Sequence, residues 1–424
     1  MQHRIISSIA VMLFVSSQAL AGGFEKVTTW SAEYSALGGA AAANVEGADS
    51  VYYNPAGLTH GKDGFNVHFS PTFGAFEGPI GSSDGSTETS ERLLSPLFGL
   101  TYKHTLSDKW SLGAGLYVSA GTASRYEDVD PSAFTSIEDT VESRLQAVEL
   151  GLAGAYKIDD RWSVGATWRA TFVEATIRTP VALSGTASGL LFANLENLQD
   201  NNFTGLRLGT QYRGDSWGLG LSLRSSVEFT AKGRLTGQYQ TLTPVATTGA
   251  FTQVSAPEVE SELPLQASLG SYFDLSDAWR LFVEATWTDY SAVETIEING
   301  SGNLLGSEVE LTDIAAGWSD QLNIKIGAQD KISDDMTLRF GYALTSQVVP
   351  NELARATFSS PGIGHTLAAG LGHNFGDLTF NWAVEYSFAS GDVSTEEAAA
   401  SSSTYEGEYS SNAYAAHLSA NWAF

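Results

Sequence analysis

Residues 414–424 read Tyr414-Ala415-Ala416-His417-Leu418-Ser419-Ala420-Asn421-Trp422-Ala423-Phe424, and their alternation decides the fold class. Tyr414, Ala416, Leu418, Ala420, Trp422 and Phe424 fall on one face of an extended chain. Ala415, His417, Ser419, Asn421 and Ala423 fall on the other. Period-2 alternation over about ten residues, ending in aromatics, is the pattern of a membrane-crossing β-strand.

The same pattern recurs upstream. Trp162, Val164, Ala166, Trp168, Ala170 and Phe172 share a face, as do Trp217, Leu219, Leu221, Leu223 and Val227. So do Trp279, Leu281, Val283, Ala285 and Trp287, and Leu378, Phe380, Trp382, Val384, Tyr386 and Phe388. Charges in these stretches avoid the face that carries the Trp. A soluble sandwich would bury that apolar face. The N-terminus argues for export instead: Arg4, the apolar stretch Ile5 to Val15 and Ala19-Leu20-Ala21 form a secretory signal peptide, residues 1–21. Its apolar run is too short to span a bilayer. An exported chain whose strands carry Trp at their ends fits the inverted arrangement, apolar side out to lipid and polar side in to a lumen. A terminal Phe on the last strand also resembles the assembly signal of outer-membrane barrels.

A repeated turn sets the strand count. Ser107-Asp108-Lys109-Trp110, Asp159-Asp160-Arg161-Trp162, Gly214-Asp215-Ser216-Trp217, Ser276-Asp277-Ala278-Trp279, Ser333-Asp334-Asp335-Met336 and Phe375-Gly376-Asp377-Leu378 each place a short polar turn before a large apolar residue. Asp and Gly suit tight turns, and Trp suits the membrane interface. Six such turns join twelve strands in pairs, and one more strand at each end makes fourteen, an even number with both termini periplasmic. The expected strands are 64–76, 95–106, 110–127, 142–158, 162–180, 202–213, 217–236, 260–275, 279–298, 311–332, 336–349, 359–375, 378–391 and 408–424. Seven longer connections, rich in Gly, Ser, Thr and acid, are then extracellular.

Composition agrees and excludes other classes. The chain has 424 residues, a net charge of −26 and no Cys, which rules out a basic nucleic-acid binder and any disulfide or thiolate chemistry. The 10 Trp, 16 Tyr and 21 Phe argue against disorder. Mean hydropathy of −0.07 is too low for a helical membrane protein, so any span is made of strands. The acidic loops either hold divalent cations at the lipopolysaccharide surface or reflect a saline habitat. Enzymatic readings are poor. Gly81-Ser82-Ser83-Asp84-Gly85 matches a nucleophile-elbow string by letter but sits in a Gly/Ser loop with no helix after it. The His residues show no metal-ligand spacing, and neither a metal nor another cofactor is expected.

Residues 22–63 do not alternate. They contain Gly38-Gly39-Ala40-Ala41-Ala42-Ala43 and Tyr52-Tyr53-Asn54-Pro55-Ala56-Gly57. A fourteen-stranded lumen is wider than its own side chains can fill, and small residues let a segment pack tightly against a wall. The expected reading is a plug, followed by a barrel over 64–424; the other reading is a periplasmic tail. Gly22-Gly23-Phe24, the small-residue run and Asn54-Pro55-Ala56 resemble the N-terminal hatch of the FadL/TodX family. The likeness extends to Ser119-Ala120-Gly121-Thr122-Ala123 with Arg125-Tyr126, to Leu338 through Ala343 with Val348-Val349-Pro350, and to Ser360-Pro361 with His365 through Gly372. The family comprises outer-membrane transporters of Gram-negative bacteria for long-chain fatty acids and other hydrophobic compounds. The resemblance implies passive uptake: capture on extracellular loops, passage to a lumenal pocket at the hatch N-terminus, and sideways exit through a kink in the third strand. Ser119, Ala120 and Gly121 are the expected kink, since Gly in a strand often marks a bulge.

Within loop 182–201, Leu191, Leu195 and Leu198 follow i, i+4, i+7 spacing, which predicts a short helix with one apolar face. With Leu190, Phe192 and, from the next long loop, Leu242, Val245 and Phe251, it forms the expected capture groove; the alternative is that the two loops pack on each other. Glu149, Arg169, Arg207, Arg224, Glu228, Glu284, Arg339 and Glu385 are expected to face the lumen and to pair with one another or with the plug. A fatty-acid carboxylate needs an unpaired cation, for which Arg125 and Arg169 are the candidates. Without such a cation, an aromatic or aliphatic hydrocarbon is the better substrate. The expected partners are hydrophobic small molecules, outer-membrane lipid and lipopolysaccharide, with the protein a monomer. A general porin and a surface adhesin barrel are the rival readings.

Overall fold

In four of the six short turns the residue that closes the turn is the first one. Ser107, Asp159, Ser276 and Ser333 each accept a hydrogen bond from the backbone N–H of the large residue three positions on, at 3.2, 2.8, 3.1 and 3.1 Å. That satisfies the first donor of the new strand and aims it back along the preceding one. The marker residues Asp108, Asp160 and Asp277 are exposed beside this bond.

The computed structural model describes residues 23–26, 28, 30–81, 86–131, 137–184, 188–243, 246–357, 360–401 and 404–424. The signal peptide, Gly22 and Val245 lie outside the described residues. Fourteen antiparallel staves close into a barrel. They are β1 (Gly64–Pro79), β2 (Leu93–Thr105), β3 (Trp110–Val129), β4 (Asp139–Lys157), β5 (Trp162–Leu183) and β6 (Ser188–Arg213). Next come β7 (Trp217–Arg224, then Val227–Thr243), β8 (Thr252–Leu263, then Gln266–Asp274) and β9 (Trp279–Thr288, then Thr295–Leu304). The last five are β10 (Gln321–Lys331), β11 (Met336–Thr345), β12 (Ile363–Asn374), β13 (Leu378–Val393) and β14 (Gly407–Ala423). β14 pairs with β1 from Gly64↔Ala423 to Glu77↔Ser410, and the Phe424 N–H donates to the Asp63 carbonyl at 3.0 Å.

The walls are inverted relative to a soluble protein. On β1, Asn66, His68, Ser70 and Thr72 are buried inside, while Val67, Phe69 and Phe73 are exposed outside. Trp110, Trp162, Trp217 and Trp279 stand exposed where their staves leave the short turns. Tyr156 and Tyr212 pack beside them with ring centroids 4.8–5.0 Å apart. This is the aromatic girdle of one membrane interface.

Residues 30–59 fold inside the barrel as two single-turn helices, Ala32–Ser35 and Ser50–Tyr53, and two 3-10 turns. They sit against glycines of the inner wall. A Cβ on Gly220 of β7 would overlap the Ala42 carbonyl oxygen, and one on Gly341 of β11 the Gly38 amide. Asn54 donates from Nδ2 to the carbonyls of Ala42, Thr210 and Leu221 at 2.7, 3.1 and 3.3 Å, and its side chain caps the 3-10 turn Pro55–Thr59. Glu284 accepts from the backbone N–H groups of Ala41 and Ala42 at 2.8 and 2.7 Å. Small residues thus bring backbone against backbone, and wall side chains satisfy the amides so exposed.

Two expectations are corrected here. The segment expected as a loop with a short helix is the first half of β6. Leu191 and Leu195 are an even number apart and share a strand face. Leu198 joins them because the β6–β7 register slips between Glu196 and Gln199, where Asn197 takes a positive φ of 53°. Similarly, Val227 does not share the face of Trp217. The pairing of β7 is interrupted at Ser225, whose N–H and Oγ both bond Leu206 at 2.9 Å. The alternation inverts there, so Val227 turns inward and Glu228 outward into solvent rather than into the lumen.

Candidate functional site

The inner face of several staves changes character along its length. On β5 the inward residues are Ser163, Thr167, Arg169 and Thr171, then Val173, Ala175 and Ile177. On β7 they are Ser222 and Arg224, then Val227, Phe229, Ala231 and Leu235. The half of the lumen nearer the short turns is therefore polar and holds the N-terminal segment. The half nearer the long loops is one continuous apolar chamber, which also includes Leu145, Leu191, Leu195, Leu198, Phe251 and Val259.

Phe24 forms the floor of that chamber. It is buried, with Trp318 at 4.8 Å and Tyr290 at 6.5 Å between ring centroids. Gly23 beside it leaves no room for a side chain, since a Cβ there would overlap the Tyr290 ring. The Phe24 carbonyl accepts a 2.8 Å hydrogen bond from the Gly121 N–H of β3.

That bond is available because β3 leaves its neighbour. The β2–β3 ladder ends at Gly99↔Tyr117. Beyond it, Leu93–Phe98 pair only with β1 and residues 118–126 only with β4. The β3–β4 register slips between Val118 and Ala120, so Ser119 is the extra residue of a β-bulge. The alternation of burial on β3 also stops, and Tyr117 through Ser124 are all buried. Ala120 and Ala147 belong to the chamber wall at this point.

Beneath the floor lies an ionic layer. Arg169 and Glu149 form a fully buried bidentate pair, with Nε to Oε2 at 3.0 Å. Arg224 grips Glu25 of the N-terminal segment through two bonds, one of 2.8 Å. Lys26 bonds Glu385 at 2.8 Å, Lys325 bonds Glu284 at 2.8 Å, and Arg339 bonds Glu33 at 2.9 Å. Arg207 is directly opposite Arg224 in register. It is buried with no ion pair or hydrogen bond among the described residues, and its guanidinium lies over the Tyr52 ring at 5.2 Å. It borders a cavity of about 50 Å³ shared with Tyr52, Ser222, Arg224 and Gln266. Three guanidinium groups, Arg169, Arg207 and Arg224, thus face two carboxylates, Glu149 and Glu25. The layer holds one uncompensated positive charge where water is scarce, which favours an anion.

The residues singled out in the sequence are distributed as follows. Arg169 is saturated by Glu149. Arg125 is half-exposed and paired with Glu91 at 3.4 Å and Glu127 at 2.9 Å. Leu191, Leu195, Leu198 and Phe251 are buried in the chamber, not exposed on a loop helix. Leu190 and Phe192 are buried in a second apolar cluster with Phe76, Tyr126 and Ala356, and Leu242 is exposed away from both. Arg207 stood in the sequence only as one lumenal charge among eight. The inward Val173-Ala175-Ile177 series leaves no break in the period, because the opposite face turns polar at Glu174, Thr176 and Arg178 just where the inward face turns apolar.

Known proteins share this architecture. The chain is 24% identical over 392 residues to the long-chain fatty acid transport protein of Escherichia coli K12, covering 81% of this chain and 82% of that one. It is 22% identical over 294 residues to outer membrane protein P1 of Haemophilus influenzae, covering 62% and 60%. A Pseudomonas aeruginosa FadL homologue superposes with a TM-score of 0.74 at 15% identity, over 95% of this chain and 100% of that one. The Pseudomonas putida toluene transporter TodX does so with a TM-score of 0.74 at 17% identity, over 95% and 100%. The family model of the outer membrane protein transport proteins OMPP1, FadL and TodX matches residues 12–424, and this chain belongs to that family.

Proposed function

We propose that this protein takes up long-chain fatty acids, or molecules with the same combination of apolar chain and anionic head, by passive transport across the outer membrane. The observation that carries the reading is Arg207: a buried guanidinium without an ion pair or hydrogen bond among the described residues, next to a small cavity and below the apolar chamber. A carboxylate there would complete the charge balance of the ionic layer, with its chain against Leu191, Leu195, Leu198 and Phe251. The segment with Gly23, Phe24 and Asn54-Pro55-Ala56 acts as the hatch. The unpaired edge beside Ser119, Ala120 and Gly121 is the sideways exit to lipid, because a molecule leaving there passes no row of ladder hydrogen bonds.

The test is uptake of labelled oleate and labelled toluene by cells lacking their own fatty-acid transporter. Arg207→Gln should lower oleate uptake at limiting concentration by roughly ten-fold or more, the worth of a buried charge-assisted hydrogen bond, and leave toluene uptake unchanged. Equal losses for both substrates would refute the carboxylate role. Toluene uptake without oleate uptake would favour the second reading, a hydrocarbon channel, which the predominance of apolar side chains in the chamber supports.

A further inference from the structure

The mouth of the chamber is crossed by a segment that belongs to no stave. Residues 346–357 leave β11 and reach β3, six staves away in the barrel order. Their inner face is apolar and divided between two clusters: Val348 and Val349 cap the chamber, and Ala354 and Ala356 enter the cluster of Phe76 and Tyr126. A few polar bonds hold the segment down. Ser124 Oγ and Tyr126 OH of β3 donate to the carbonyls of Thr357 and Ala356 at 2.7 and 2.9 Å. The Ser319 N–H donates to the Val348 carbonyl at 2.8 Å. Asn351 Nδ2 bonds the Asp392 carbonyl at 3.2 Å and Glu397 Oε1 at 2.9 Å, and Thr404 Oγ1 bonds the Glu352 carbonyl at 2.9 Å.

Under one edge of the segment is an apolar crevice of about 10 Å³, bordered by Ile296, Ile314, Trp318, Val349 and Leu353, with Arg355 at its rim. The Leu353 side chain lies over Gly317, whose φ of +52° and lack of a Cβ let it approach. The inner wall of the crevice is Trp318, the same ring that packs tilted against Phe24. Arg355, Leu353, Trp318 and Phe24 therefore make a continuous line from the outside to the chamber floor. The residues expected to capture ligand on loop 182–201 are buried and offer no such route.

We propose that residues 346–357 are a lid and that the Leu353–Trp318 crevice beneath it is the way into the chamber. The occupant is an apolar chain with an anionic head, the chain displacing Leu353 from Gly317 and the head meeting Arg355. The choice of occupant rests on the transport reading above; the lid does not. Because β3 beyond its bulge is tied to the lid through Ser124 and Tyr126, lifting the lid also loosens the wall at the unpaired edge.

The chain has no Cys, so a single reporter can be placed in the chamber. Ala231→Cys in intact cells is exposed to a charged thiol reagent that cannot cross lipid, and the labelling rate measures access from outside. Asn351→Ala with Thr404→Val, which removes lid bonds on the side away from β3, should raise that rate by about ten-fold. Leu353→Trp, which overfills the crevice, should lower it. Rates unchanged by both variants, with the barrels assembled by the heat-shift of their gel mobility, overturn the lid. Arg355→Glu should lower oleate uptake several-fold and spare toluene; equal oleate uptake overturns the part given to Arg355. If the unaltered chain carries neither substrate, the transport reading fails while the labelling rates still decide the lid.

Discussion

Two titratable residues of the N-terminal segment oppose each other as pH changes. Burial raises Asp49 to about 6, against hydrogen bonds from Asn66 and Trp30 that work to lower it. Burial lowers His60 to about 3, helped by the positive charges of Arg213, Lys157 and Lys103. A carboxyl raised in the fold contributes stability that is present below about 4 and lost as pH rises through 6. A His lowered in the fold contributes stability present above about 6.5 and lost as pH falls toward 3. The two effects overlap and offset each other. Asp49→Asn should therefore leave a segment that loosens on acidification from pH 7 to 4, and His60→Gln one that tightens over the same range. Urea release followed by Trp30 fluorescence measures both, and parallel profiles would disprove the assignment. Asn54→Ala should destabilise the seated segment by about 1–3 kcal/mol, since three carbonyls lose their donor. Limited proteolysis after residue 30 would report it.

Among the elements, β3 and β6 each owe their shape to one surplus residue. Deleting Ser119 should restore a regular β3 ladder, let residues 118–124 alternate again and extend pairing toward Leu97 and Phe98 of β2. Uptake should fall several-fold while folded yield is retained; normal uptake would remove β3 from the exit route. In β6, the slip at Asn197 is why a Leu spacing that fits a helix occurs in a strand. Spacings of four and three satisfy a helix directly and a strand only with a bulge, and bulges leave little mark in a single sequence. The inversion at Ser225 in β7 escaped for the same reason.

At the scale of the whole molecule, the barrel and the segment inside it are complementary through absent side chains. Gly220→Val and Gly341→Val together should unseat residues 30–59 without breaking the barrel, because the overlaps fall on Ala42 and Gly38 and overpacking costs typically about 1–3 kcal/mol per site. Planar-bilayer recording should then show a persistent ion conductance where the unaltered protein shows a low one. Equal conductance would mean that the segment does not plug the lumen.

Much of this was legible along the chain, because its physical causes are local. Alternation needs only the two-residue period of a strand, turns need only Ser, Asp or Gly before a large apolar residue, and lipid in place of water shows as Trp and Leu facing outward. These established the barrel, its fourteen staves and the position of most of them. The Ser119-Ala120-Gly121 stretch could be singled out because small residues in a strand are visible by themselves. The tertiary structure decided the rest, because the rest depends on partners distant in sequence. Whether Arg125, Arg169 or Arg207 is free depends on whether Glu91, Glu149 or no carboxylate stands opposite. Whether Leu191 and Phe251 are exposed or buried depends on the strand that carries Leu191 and on residues as distant as Val348 and Val349, which pack in the same cluster. A residue type announces which interactions it can make; only the assembled barrel determines which of them are already taken.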